Sequence, residues 1–206
     1  VIAKIKKEFA GQGQKVMYAM WGAGQMMFNK ILVIADELTD IRNYNDLARQ
    51  VFENLDVSRD VFLATGPMDV LDHSCSKMGF GGKMCIDGTR KFEEEMDERY
   101  NLRPAGKKLQ QSFFSDHFPE ISAVNMDFPA KDIPCLIIAV KKNKRDHVRE
   151  LHEQICQTVP GIENIRMILY VEYNIDPGNL PVALWRFWHK PDQKRENKRL
   201  LQHIVG

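Results

Sequence analysis

The chain has 206 residues, enough for one large domain or two small ones with real cores. Its 44% hydrophobic and 28% charged residues make an ordinary globular balance, and a net charge of +1 argues against a dedicated, strongly basic nucleic-acid binder. The apolar runs ILVIA (31–35) and CLIIAV (135–140) are far too short to cross a bilayer.

VIAKIKK (1–7) reads as a strand, and it opens the chain with neither an initiator Met nor a signal peptide. The expectation is a segment cut from a longer protein. GQGQKVMYAMWGA (11–23) reads as a helix entered through glycine, and ILVIAD (31–36) as a buried strand ending at an acid. YNDLARQVFENL (44–55) is a helix that Asn43 or Asn45 can cap, with Leu47, Val51 and Leu55 at four-residue spacing. DVFLAT (60–65) is a third strand before a turn at Gly66-Pro67, and KMCIDG (83–88) a fourth. FEEEMDERY (92–100) is acidic and helix-prone, the pattern of a solvated helix face.

Residues 92–131 read as a connector, after which strand and helix alternate again in 132–206. The elements are a strand at 135–142, a helix at 146–159, a strand at 166–173 and a helix at 179–188 with Pro181 in its first turn. A basic tail follows. LIIAVKK (136–142) lies over VIAKIKK (1–7), RMILYVE (166–172) over KILVIAD (30–36), and PVALWRF (181–187) over DLARQVF (46–52). Three elements in one order at nearly constant offset point to a duplicated unit. The expected fold class is therefore α/β, a β-α-β-α unit with a mixed sheet, duplicated in the second half.

Cys75, Cys85, Cys135 and Cys156 form no C-x-x-C pair, which fits reduced thiols in a cytoplasmic protein. His147 and His152 lack the spacing of a zinc helix, so no protein-only metal site is expected. SKMGFGGKMCIDGTRK (76–91) poses the main question of function. Glycines let an anion approach backbone N–H groups and lysine adds charge, but a flexible surface turn has the same composition. It is not a Walker A loop, because Lys77 stands at the first glycine position and Met84 at the metal-binding hydroxyl. WGAGQMM (21–27) has Met27 at the third glycine of a dinucleotide fingerprint and precedes a strand instead of following one.

Taken together, MWGAGQMMFNKILVIADE (20–37), ARQVFENLDVSRDVF (48–62), GPMDVLDHS (66–74) and GGKMCIDGTRK (81–91) resemble the C-terminal domain of the UbiD-type carboxy-lyases. The resemblance covers roughly residues 1–91; the second half departs from the short tail usual in that family. It implies a larger decarboxylase of aromatic or unsaturated acids, of the quinone-biosynthesis type. It implies prenylated FMN as cofactor, with a divalent metal held mainly by an upstream flavin domain that this chain lacks. That upstream domain would carry the catalytic residues. The present segment would bind the cofactor phosphate through Lys83 beside Gly81 and Gly82, close the active site and assist homo-oligomerisation. Two other readings stand beside it, a non-catalytic α/β assembly module and a small phosphate-ligand binder.

Met20, Met26, Met27 and Phe28 read as core packing, and Asp36 as a capping or solvated acid. Lys77, Asp87 and Arg90 read as loop-stabilising charges. Trp185, Phe187 and Trp188 read as an aromatic cluster of core or interface.

Overall fold

Alternation of apolar and polar residues in the first half builds one four-stranded sheet. Its strands are β1 (Ile2–Ile5), β2 (Ile31–Asp36), β3 (Val61–Pro67) and β4 (Phe80–Asp87), in the order β1-β2-β4-β3. The structure is a computed structural model describing residues 1–73, 75, 77–96, 108–144 and 146–188. Within them the chain divides into two units, 1–96 and 108–188.

In the first unit β1, β2 and β4 run parallel and β3 pairs antiparallel with β4. Helix α1 (Gln12–Trp21) connects β1 to β2 and begins at Gly11, whose φ of 75° favours glycine. Leu32 and Ile34, fully buried, meet Met17 of α1 and Cys85 of β4, with Ile5, Val16 and Phe62 packed around them. Each such aliphatic side chain contributes about 1.5–3 kcal/mol on burial. Helix α2 (Tyr44–Glu53) is capped by Asn43, whose side chain accepts from the N–H groups of Asn45 and Asp46. A single turn, α3 (Val57–Asp60), leads into β3.

Two features of this unit differ from the expectation. Gly66 and Pro67 continue β3, and Gly81 and Gly82 lie inside β4, so neither pair sits in a turn or loop. Gly66 faces Gly81 across the ladder, and a glycine on one strand tolerates a glycine on the other because neither side needs cross-strand side-chain packing.

The acidic run after residue 92 is, within the described residues, one 3₁₀ turn at Glu93–Glu95; residues 97–100 lie outside them. Glu95 is not a solvated acid. It accepts from the Lys7 ammonium at 2.6 and 2.7 Å and from the Gly11 and Phe92 N–H groups at 2.9 Å. Lys7 is 2% exposed. The Lys91 side chain is buried as well, 3.2 Å from Asp60 and 3.5 Å from Asp87, and Asp87 also accepts from the Thr89 N–H and hydroxyl. Residues 87–95 are thus tied back onto the sheet by buried charges.

The second unit is a three-stranded sheet, β5 (Ile121–Asn125), β6 (Cys135–Val140) and β7 (Met167–Glu172), in that order. β6 and β7 are parallel, and β5 is antiparallel to β6. All six residues of β6 are buried, as a central strand requires. Helices α4 (Gln111–His117), α5 (Asp127–Ala130), α6 (His147–Thr158) and α7 (Leu180–Trp188) complete it. Phe114, Phe118, Leu136, Ile138, Leu151 and Ile155 form its core. The stretch read as a connector therefore holds α4, β5 and α5 in its described part. β6-α6-β7-α7 repeats the order and strand sense of β1-α1-β2-α2. The basic tail beyond residue 188 lies outside the described residues.

Candidate functional site: the Lys83 ammonium on β4

β4 is an inner strand, and Lys83 rises from it into the ground between α1 and the start of β2. The side chain is 5% exposed. Its ammonium donates to the carbonyl of Asn29 at 2.8 Å and to the carbonyl of Met27. It also stands 5.8 Å from the ring centroid of Trp21. An ammonium carries three donors, so one N–H remains for a ligand. Burial pulls its pKa below the usual lysine value, an effect opposed by the nearby Cys75.

The local sequence explains how this pocket of carbonyls forms. Trp21 ends α1; Gly24, at φ 50°, starts a 3₁₀ turn through Phe28. The turn delivers the Met27 and Asn29 carbonyls, and Asn29 is fixed by the indole N–H of Trp21 at 3.1 Å. The glycines and tryptophan of WGAGQMM thus shape the seat of Lys83. Gly66 matters too. A Cβ there would lie 3.3 Å from Cε of Lys83, so glycine lets the lysine stem cross β3 closely.

Gly81 and Gly82 have different surroundings. A Cβ on Gly81 would meet Cys75 Sγ at 2.9 Å, whereas one on Gly82 would meet nothing within 4 Å. The Met84 N–H donates to the Lys30 carbonyl on the β2 side, so strand alternation turns the Gly82 N–H the same way, toward the segment before β2. Open space beside Gly82 and a spare lysine donor suit an anion.

Asp36 accepts from Gln50 Nε2 and the Arg90 N–H, both at 3.0 Å, and so ties β2 to α2 and to the segment after β4. Arg90 donates from its guanidinium to the Lys7 carbonyl at 3.2 Å. Lys77 is exposed and forms an isolated bridge with Phe80. Met20 packs on the α1 core, Met27 and Phe28 are half-buried, and Met26 is 46% exposed, so Met26 is not core. Trp185 is exposed with Arg186 over its ring, and the side chains of Phe187 and Trp188 lie outside the described residues. His147 sits 3.5 Å from Glu120, and His152 Nδ1 is 2.8 Å from the Tyr170 hydroxyl. Among the described residues no three His, Cys, Asp or Glu side chains gather to hold a metal, and no helix is long and apolar enough to cross a membrane.

The sequence segments that build this site also decide its kinship. Residues 1–88 match the model of the 3-octaprenyl-4-hydroxybenzoate carboxy-lyase C-terminal domain. Residues 1–88 are a UbiD-type C-terminal domain. An uncharacterized protein of Aquifex aeolicus is 42% identical over 91 residues, covering 44% of this chain and 19% of that protein. An uncharacterized protein of Helicobacter pylori is 27% identical over 199 residues, 95% of this chain and 30% of that protein. The chain therefore spans less than a third of the length of these relatives, and the second match runs through both units of the chain. Among solved structures, vanillic acid decarboxylase of Sedimentibacter hydroxybenzoicus in its open form is similar at a TM-score of 0.45 and 21% identity, over 56% of this chain and 25% of that one. The UbiD-class enzyme HmfF of Pelotomaculum thermopropionicum, in complex with FMN, gives 0.41 and 21% over 57% and 25%.

Proposed function

We propose that the chain is the C-terminal part of a decarboxylase that uses prenylated FMN to remove CO₂ from an aromatic or unsaturated carboxylic acid, of the quinone-biosynthesis type. The observation that carries the reading is the buried Lys83 ammonium, seated by the family-matching segments with one donor unspent. When bound, the flavin supplies an electron sink for the departing CO₂. Lys83, with Gly82 and Gly81 beside it, would meet the cofactor phosphate, a dianion suited to a point charge and close backbone approach. A divalent metal and the acid–base groups would come from the missing upstream domain of the same chain. Active-site closure, homo-oligomerisation and a cytoplasmic location belong to this reading, as does descent of the two units (1–91 and 132–206) from one duplicated ancestor. The assembly-module and phosphate-binder alternatives share the fold but not the upstream flavin domain.

The test uses the full-length enzyme. Lys83→Ala should weaken flavin retention by one charge-assisted contact, about 1.5–3 kcal/mol, or roughly ten- to a hundredfold. Lys83→Arg should recover part of it, and Lys77→Ala should change little. Flavin occupancy and dissociation constant are measured with thermal stability alongside, since Lys83→Ala also strips two buried carbonyls of their donor. Equal cofactor affinity in Lys83→Ala and parent would overturn the assignment.

A further inference from the structure

The C-terminal ends of parallel strands are where open α/β sheets receive ligands. In the first unit a cleft of about 250 Å³ opens there, between the ends of β1 and β2, the start of α2 and the segment after β4. Neither Lys83 nor any residue that seats it lines this cleft, and the decarboxylase reading does not use it. Its size is a little below the range of roughly 300–1,000 Å³ common for drug-sized ligands.

Two side chains in its wall hold oxygens with no partner among the described residues. Thr39 is 4% exposed, and its hydroxyl is buried without a hydrogen bond; Oε1 of Gln50 is in the same condition. Buried polar atoms left unpaired are costly and rare, so a pair of them at one cleft marks a missing group. The Gln50 orientation is set by its Nε2, which donates to Asp36 at 3.0 Å and to the Gly88 carbonyl at 2.7 Å. Oε1 can only accept, so the missing group must donate. Asp36 uses Oδ2 for both of its hydrogen bonds and leaves Oδ1 unengaged. Three acceptors thus belong to residues lining the cleft: Asp36 Oδ1, Gln50 Oε1 and Thr39 Oγ1.

The charges narrow the ligand further. Lys7 is spent on Glu95 and on the Arg90 carbonyl. Arg90 gives one N–H to the Lys7 carbonyl and keeps the rest of its fork, the donor geometry that suits a carboxylate. Against it stand Asp36, Glu37 and Asp46, so among the described residues the wall has an acidic excess beside the Arg90 guanidinium. We infer that this cleft binds a free α-amino acid, its ammonium on Asp36, Gln50 and Thr39 and its carboxylate on Arg90. Three N–H donors meet three acceptors, and the net acidity disfavours a simple dicarboxylate or phosphate.

The experiment is a thermal-shift screen of the 206-residue chain with each common L-amino acid at millimolar concentration, followed by calorimetric titration of any that stabilise it. Each is compared with its decarboxylated amine, its deaminated acid and with glucose. At least one amino acid should raise the melting temperature while both truncated analogues and glucose fail. Thr39→Val should fold at least as well as the parent, because it removes an unsatisfied hydroxyl, and bind at least about tenfold more weakly. Arg90→Gln should lose the preference for the amino acid over the amine. No stabilisation by any amino acid, equal binding of an amine or of glucose, or unchanged binding in Thr39→Val would each overturn the inference.

Discussion

Gly13, in the first turn of α1, faces Asp87 so closely that a Cβ placed there would lie 1.9 Å from Oδ2 and 2.4 Å from Cγ. Gly13→Ala sets two effects against each other. Alanine is the better helix former by about 1 kcal/mol, which would stabilise α1. To accept the methyl group, however, the Asp87 carboxylate must retreat by roughly an ångström, and overpacking of this kind costs about 1–3 kcal/mol. The retreat also strains the bonds from the Thr89 N–H and hydroxyl, at 3.1 and 2.6 Å, and the approach of Lys91 at 3.5 Å. Bonds to a charged group contribute about 1.5–3 kcal/mol each, and losing one of them suffices to decide the sign. The net expectation is destabilisation of the first unit by about 2–4 kcal/mol, the steric and ionic losses less the helical gain. Urea unfolding of the chain, with hydrogen exchange to resolve residues 1–96 from the second unit, measures it. The Gly13→Ala/Asp87→Ala double variant should be less damaged than the sum of the singles, since the clash is gone. If Gly13→Ala alone is neutral or stabilising, the close packing of Asp87 on α1 is not what the sheet rests on.

Glu95→Gln should destabilise the first unit by about 3–5 kcal/mol, because Lys7 is left as a buried cation without its counter-charge. Burial alone would raise the Glu95 pKa, but the hydrogen bonds from Lys7, Gly11 and Phe92 and the Lys7 charge outweigh it and hold it below the usual 4.5. Its contribution is therefore complete above about pH 4.5 and lost as pH falls through the lower folded value, so melting temperature against pH should be flatter in Glu95→Gln than in the parent below pH 4.5. Gly88→Ala should cost about 1–3 kcal/mol, since a Cβ there meets the Val51 backbone at 2.8 Å, while Gly82→Ala, with open space beside it, should leave stability within about 0.5 kcal/mol by thermal melting. Alkylation of the native chain at pH 8 should mark the exposed Cys156 well before Cys85, whose thiol burial pushes up to about 12, or the buried Cys135; peptide mass mapping reads the order. The chain alone should neither retain flavin nor decarboxylate aromatic acids, and a yellow, stoichiometric preparation would contradict that.

Strands and helices whose signal is local were legible. ILVIAD becomes β2 at the residues read as a strand, and β6 keeps CLIIAV of the strand read over 135–142, because a run of branched apolar side chains flanked by polar ones has few other ways to be buried. Asn43 caps α2 as its type predicts. Gly81 and Gly82 were misread for an equally local reason. Glycine signals a loop unless its cross-strand partner is known, and nothing local marks Gly66, in the preceding strand, as that partner. The seat of Lys83 is visible in the sequence only as the phrase WGAGQMM, part of the family resemblance; that its carbonyls face the lysine depends on a turn at Gly24 and on a pairing some 55 residues away. Glu95 shows the same limit from the other side. Among acidic neighbours it looks solvated, and nothing near it announces that Lys7 is its partner. β5 escaped because ISAVN is short and only half apolar, and its burial is supplied by β6 across the ladder.

The pairing of Lys7 with Glu95 and of Lys91 with Asp60 and Asp87 draws a border that kinship does not. The family match ends at residue 88, yet a protein cut there would keep Lys7 and Asp87 in its interior without Glu95 and Lys91, and would leave Asp60 with Arg59 alone. Residues 89–96 act as a clasp supplied from outside the shared pattern. The electrostatic unit of the fold is therefore longer than the matched pattern by this short stretch, which behaves as part of the interior although it carries no strand or α-helix.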